Sequence, residues 1–561
     1  MIAFFLLFLC PAVPAQPPQQ QADSDRILIV KRLYDEKRWE EIVRLVPATS
    51  NDSAELDFYR GLALARLQRW AEAQAALEAG RLKESRDKRF PIELAGVSYQ
   101  RKEFSRAKAF LKQALRLDPE DAYASNFLAS LYLLEGNVEA AVQYWNRIGR
   151  PEITEIRSDP EPRARAALLD RAFSFSPLSV LRLADLRTTQ ARLENLWIFP
   201  RYRFELLPEE EESFTVLFRA TERNGWGDSK LEGIFSLLRG LPYQTIDPEF
   251  YNLHRSAYNI VSLWRWDAQK RRLNASFSAP LGQDPGWRLK FYLDGRNENW
   301  DISRNFQGST SLLSGLKLLK SEAGAEIRSV ASDRWSWRTG VSFAYREFRN
   351  TSGLSPRTAP LFSDGFSLQY QAGLNYRLLR NAERRITVHA LASAGVGRML
   401  ARPLGFFAPI QGSLVLQWFP LSRGDDYEMN SRFRTGRMFG QVPLDELYAL
   451  GLERDNDLWL RGHIGTQGGK KGSSPMGREY VLWNWEADKI VHQNGFLTVR
   501  LGPFVDIGRI TDPSGDFISR GWLCDPGVQS KVILFGGLRV IFSYGKDLRS
   551  GRNAFYITAQ R

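Results

Sequence analysis

The chain has 561 residues, a net charge of +13 and an aromatic fraction of 12%. Past the first dozen residues no apolar run approaches the ~20 residues of a spanning helix, which excludes a helical membrane protein but not a barrel, whose alternating strands leave no hydropathy peak. The Arg and Lys residues are scattered, with no basic helix or nucleic-acid motif, so nucleic acid is not an expected partner; Cys10, Cys524 and four dispersed histidines predict no disulfide in a mature chain, no metal site and no cofactor.

The N-terminus reads as a secretory leader over residues 1–15. Ile2-Ala-Phe-Phe-Leu-Leu-Phe-Leu9 is an apolar core and Val13-Pro14-Ala15 fits a small-residue cleavage site.

Residues 26–150 read as paired helices. Arg38-Trp39-Glu-Glu-Ile42, Arg69-Trp70-Ala-Glu-Ala73, Glu103-Phe104-Ser-Arg-Ala107 and Asn137-Val138-Glu-Ala-Ala141 repeat one phrase, their closing residues 31, 34 and 34 positions apart. That period is the one expected of tetratricopeptide repeats. Gly61, Ala95 and Ala129 stand where paired helices must approach closely, and Leu64 and Tyr132 stand in the slot that such repeats fill with tyrosine. Arrays of this kind display a concave surface, here expected to bind a client or a partner protein.

Residues 151–165 are rich in Pro and charge and read as a linker. Residues 166–223 read as a small α+β module: an amphipathic helix over 181–196, a strand Pro200-Arg-Tyr-Arg-Phe-Glu-Leu206, an acidic turn, and a second strand from Phe214 to Arg223. From 226 to 561 the period changes to two. Trp287, Leu289, Phe291 and Leu293 alternate with Arg288, Lys290, Tyr292 and Asp294, and the same rule recurs to the end. Alternation over so long a span suits a closed membrane barrel better than a soluble sandwich, because hydrocarbon cannot satisfy an open sheet edge. The length allows roughly 16 strands.

The module resembles the last polypeptide-transport-associated (POTRA) domain of outer-membrane assembly factors, in Leu196-Trp-Ile-Phe199-Pro-Arg-Tyr202 and the closing Glu222-Arg223. The last hundred residues resemble the barrel of the BamA/TamA superfamily. Leu460-Arg461-Gly462-His463 stands where that family has Val-Arg-Gly-Phe/Tyr, with His463 replacing the aromatic. Gly502-Pro-Phe504-Val-Asp506-Ile-Gly508 matches its Phe-x-Asp-x-Gly strand, and Tyr544-Gly545-Lys-Asp547-Leu548 its penultimate strand. The resemblance implies that a loop bearing Arg461 and Gly462 folds into the lumen, where Arg461 reaches acidic groups on two wall strands. Glu479 and Glu486 compete for the first. Glu479 shares the side of Val481, Trp483 and Trp485, which should face lipid; Glu486 shares the side of Asn484 and Asp488. Parity therefore selects Glu486, and likewise places Asp506 with Thr498 and Arg500. A guanidinium between two carboxylates makes forked, charge-assisted bonds.

The resemblance also implies a weak seam between the first and last barrel strands, which opens to template strands of a client. Here it would join Lys230–Leu238, through Lys230 and Leu231, to Asn553–Gln560, through Phe555 and Ile557, with Gly536, Gly537 and Gly545 softening the edge. The expected location is the bacterial outer membrane, the repeats lying in the periplasm, and the expected role is assembly or translocation of client polypeptides. Two other readings stand: an outer-membrane export pore, for example for polysaccharide, on a tetratricopeptide scaffold, and a soluble binding protein. No catalytic motif is present, so no enzyme activity is expected.

Overall fold

The helical phrases place their aromatic or apolar second residue at the first position of a helix. In the computed structural model, α2 begins at Trp39, α4 at Trp70, α6 at Phe104 and α8 at Val138. The structure describes residues 18–48, 52–210, 213–226, 233–234, 237, 240–303, 312–352, 359–400, 405–511, 521–534 and 538–560. The leader at 1–15, the seam residues Lys230 and Leu231, and Gly536 and Gly537 lie outside them.

The array comprises α1 (Pro18–Asp35), α2 (Trp39–Leu45), α3 (Ala54–Arg66), α4 (Trp70–Lys83), α5 (Arg89–Gln100), α6 (Phe104–Leu117), α7 (Ala122–Leu134) and α8 (Val138–Trp145). Each pair turns through one residue at positive φ: Lys37 (+58°), Gln68 (+60°), Lys102 (+61°) and Gly136 (+78°). The small residues work by close approach. A Cβ on Gly61 would lie 2.5 Å from Leu77 Cγ, and Ala95 and Ala129 are fully buried. Asp121 caps α7 by accepting from the Ala124 N–H at 2.8 Å.

The array through residue 150, apart from 136–139, is one compact unit; 136–139 and 151–561 form the second. The second unit opens with a strand that the sequence hid. Residues 151–165, expected to be a linker, contain β1 (Glu152–Ser158), so the α+β module begins there and not at 166. It continues through α9 (Ala166–Ala172), β2 (Ser179–Val180), α10 (Leu183–Leu196), β3 (Arg201–Pro208) and β4 (Ser213–Thr221). The sheet order is β2-β1-β4-β3, β1 running parallel to β4 and β3 antiparallel to it. Edge-to-face rings of Phe173, Phe175, Phe199, Phe204 and Phe218 fill its core.

The remaining strands are β5 (Thr245–Ile246), β6 (Glu249–Leu253), β7 (Tyr258–Trp266), β8 (Lys270–Leu281), β9 (Asp284–Ser303), β10 (Leu312–Val330), β11 (Trp335–Ser352), β12 (Gly365–Asn381), β13 (Ile386–Met399), β14 (Gly405–Trp418), β15 (Tyr427–Gly440), the short β16 (Tyr448–Ala449), β17 (Thr466–Gln467), β18 (Lys470–Lys471) and β19 (Met476–Gly477), then β20 (Glu479–Gln493), β21 (Leu497–Thr511), β22 (Leu523–Leu534), β23 (Leu538–Lys546) and β24 (Asn553–Gln560). All of these except β16 and β19, which pair with each other, form a closed barrel in which β24 adjoins β5. Wall neighbours from β6 to β24 pair antiparallel, β15 pairing directly with β20. The expected first strand over Lys230–Leu238 is corrected where it can be described: Gly233, Ile234 and Leu237 are helical, and β5 takes the place beside β24.

The period-two pattern sorts the wall into two faces. On β9, Phe291 and Leu293 are 52% and 63% exposed, whereas Arg288 and Glu298 on the other parity are buried. The same division puts Phe343, Tyr370, Phe433 and Tyr544 outside. An apolar outer face with charges inside is the reverse of a soluble barrel, and matches a sheet solvated by lipid. No described helix is long and apolar enough to cross a membrane.

Candidate functional site

The lumen is closed by residues 441–478, the segment between β15 and β20. Its Leu444, Leu447, Leu450, Leu458, Leu460 and Met476 pack with wall residues such as Leu318, Phe407, Leu482 and Ile510 into one buried cluster. Each such side chain contributes roughly 1.5–3 kcal/mol by leaving water, so this segment is a packed plug.

Arg461 sits at the plug's inner tip, 4% exposed. Its Nε donates to Asp506 Oδ2 at 2.9 Å and its Nη2 to Asp506 Oδ1 at 2.7 Å, a forked pair. Its Nη1 donates to Glu486 Oε2 at 2.9 Å and to Gln529 Oε1 at 2.7 Å. Its backbone N–H also donates to Asp506 Oδ2 at 2.9 Å, and its guanidinium lies 3.8 Å from the centroid of the Phe504 ring. Glu486 comes from β20 and Asp506 from β21, while Gln529 and Lys531 come from β22. Lys531 Nζ donates to Glu486 Oε1 at 2.5 Å and to Asp488 Oδ2 at 2.7 Å. Every charge in the group thus has an opposite partner, which a buried ion needs.

Gly462 is required by space. A Cβ there would lie 2.6 Å from Asp525 Cγ and 2.7 Å from the Asp547 backbone nitrogen. Glu479 instead pairs with Arg437 at 2.9 Å, on the parity of the exposed Trp483. Of the seam residues, Phe555 is exposed on the outer face, and the Ile557 carbonyl accepts from the Tyr243 hydroxyl at 2.6 Å.

Three groups escaped the sequence reading. The first is a second anchor of the plug. Asp455 accepts from Arg265 Nη1 at 2.9 Å, Arg272 Nη1 at 2.6 Å and Lys471 Nζ at 2.9 Å, and Lys471 also donates to Glu298 at 2.8 Å. The second anchor is joined by a third, in which Glu446 accepts from Lys320 and Arg346, both at 2.9 Å. The acidic run Glu453-Arg-Asp-Asn-Asp457 just ahead of Leu460 was the available signal. The last group is Arg288 at the module–barrel junction. Its guanidinium donates to the Asn195 and Leu196 carbonyls at 3.1 and 2.9 Å and lies 4.6 Å from the Trp197 ring centroid. A buried cation thereby satisfies the C-terminal carbonyls of α10.

Around the plug the lumen keeps polar chambers. One of about 380 Å³ is lined by Arg432, Arg434, Arg500 and Arg539 besides the clamp residues. Another of about 520 Å³ adds Lys290, Arg328 and Arg338. Lys290, Arg328, Arg432 and Arg539 make no ion pair among the described residues.

A tetratricopeptide repeat family model matches residues 98–152. No curated protein matches the chain. Among solved structures, the chain is similar to BamA from Haemophilus ducreyi lacking POTRA domains 1–3, at 13% identity over 73% of this chain and 84% of that one, with a TM-score of 0.42. It is similar to CdiB from Escherichia coli at 13% identity over 73% and 75%, TM-score 0.45, and to CdiB from Acinetobacter baumannii at 10% over 73% and 73%, TM-score 0.43.

Proposed function

We propose that this chain is an outer-membrane factor that inserts or exports client polypeptides, with its α+β module serving as a POTRA domain and its helical array gathering clients or a partner protein. The observation that carries this reading is the Arg461 clamp. A plug pinned by Arg461 across β20 and β21, and anchored again through Asp455 and Glu446, resists displacement while leaving the lumen built of separable ion pairs. Such a plug is suited to a barrel whose wall, and not whose bore, does the work. Support comes from the place where β24 adjoins β5, a strand of only two residues, Thr245–Ile246. A two-residue strand can supply few main-chain bonds to that joint, which favours its opening and offers the edge of β24 to an incoming strand.

The test is depletion combined with crosslinking. A photoreactive side chain at Phe555, on the outer face of β24, is expected to capture nascent barrel or secreted polypeptides, and depletion to lower those clients in the outer membrane. A second reading, an export pore for an anionic polymer, is favoured by the arginine-lined chambers. Loss of a secreted polymer with barrel proteins at normal levels would select it and reject the first.

A further inference from the structure

His463 follows the clamp arginine by two residues and is 5% exposed; Asp525, in β22, and Asp547, just past β23, are 0% and 1% exposed. The His463 Nδ1 lies 2.8 Å from Asp525 Oδ2, and its Nε2 lies 3.5 Å from Asp547 Oδ2. One ligand atom from each of the three residues falls within 4.8 Å of the other two. Two buried atoms of this group have no hydrogen-bond partner, His463 Nε2 and Asp525 Oδ1.

Charge sharpens the point. Arg461 and Lys531 are engaged by Asp506, Glu486 and Asp488. Among the described residues no arginine or lysine pairs with Asp525 or Asp547. Two fully buried carboxylates that share one imidazole, with no arginine or lysine between them, are costly. Their oxygens are nonetheless held in place: Asp525 Oδ2 accepts from the Gly462 N–H at 2.7 Å, and Asp547 accepts from the Arg549 and Ser550 N–H groups at 2.9 and 3.1 Å. Such bonds to the carboxylates aim ligand oxygens, as the outer shell of a metal site does. One imidazole and two carboxylates form a mixed nitrogen–oxygen set, which suits zinc and its first-row neighbours better than calcium or magnesium, whose sites are built of oxygen.

We propose that His463, Asp525 and Asp547 bind a first-row transition-metal dication that fastens the tip of the plug to β22 and to the turn after β23. The site lies beside the clamp and stands whether or not the chain handles polypeptides. It explains why histidine occupies a position where the resembling family carries an aromatic ring.

The test uses the full chain, folded in detergent and stripped with a chelator. Cobalt(II) is titrated as a spectroscopic probe, then zinc is added. The expected result is one cobalt per chain with visible d–d absorption that zinc displaces and millimolar magnesium or calcium does not. His463→Phe restores the family's aromatic and should keep heat-modifiable gel mobility while abolishing the absorption. Asp547→Asn should weaken binding about tenfold or more. If His463→Phe fails to fold, the isosteric Asp547→Asn carries the comparison alone. Equal cobalt uptake by wild type and variant, the absence of saturable binding, or displacement by magnesium as readily as by zinc would overturn the site.

Discussion

Arg461 concentrates the chemistry of the plug in one side chain. Its removal does more than delete bonds, because the fully buried Asp506 loses its guanidinium partner, whereas the half-buried Glu486 keeps Lys531. Breaking a buried pair from one side costs about 3–5 kcal/mol. The apolar cluster around Leu458 and Leu460 and the Asp455 anchor remain, so the barrel should persist while the tip loosens. Arg461→Ala is therefore expected to run as a folded, heat-modifiable barrel, yet to expose residues 441–478 to protease and reduce activity. Exchanging Arg461 and Asp506 should restore part of both. Wild-type protease resistance in Arg461→Ala would show that the hydrophobic contacts suffice. The legibility of this group came from strand parity. Because side chains alternate strictly, Glu486 and Asp506 could be assigned to the lumen without knowing their neighbours. Gln529 and Lys531 lie on the third strand and completed the site only when the wall closed.

At the scale of elements, the array and the module differ in how openly they declare themselves. The helix pairs repeat, and even their turns recur with the same spacing: Lys37, Gln68, Lys102 and Gly136 all adopt positive φ. Only the last is the residue that this conformation favours. A non-glycine residue there costs roughly 1–2 kcal/mol, part of which glycine gives back as unfolded-chain entropy. Gln68→Gly should accordingly stabilise the array by about 0.5–1 kcal/mol, seen as a higher midpoint of the helical circular-dichroism transition; a lower midpoint would refute the backbone account. Strand β1 shows the opposite case. Glu152-Ile-Thr-Glu-Ile-Arg-Ser158 is mostly polar, flanked by Pro151 and Pro160, and buries only Ile153 fully. Its pairing with β4 and β2 is supplied by main-chain bonds, which leave no trace in hydropathy.

For the molecule as a whole, the outer face and the lumen make separate demands. The outer face is apolar and should require detergent or lipid for solubility. The lumen holds chambers whose Lys290, Arg328, Arg432 and Arg539 have no ion-pair partner among the described residues. Fixed charge of one sign in a confined, low-dielectric space repels ions of the same sign. Any current through the barrel in a planar bilayer should therefore prefer anions, and a combined Arg328→Gln, Arg432→Gln, Arg539→Gln variant should lose that preference. Cation selectivity in the wild type would contradict the assignment of these side chains to the lumen.

What the linear order of residues determined alone is the part governed by local periodicity. A 34-residue rhythm specifies stacked helix pairs, and a two-residue rhythm specifies which side of each strand meets lipid. What only the tertiary structure decided is which charges become neighbours. Asp455 meets Arg265 and Arg272, Arg288 meets the end of α10, and His463 meets Asp525 and Asp547 because a closed sheet brings distant strands around one plug. Electrostatic partners act through space at a few ångströms, and no spacing along the chain records them.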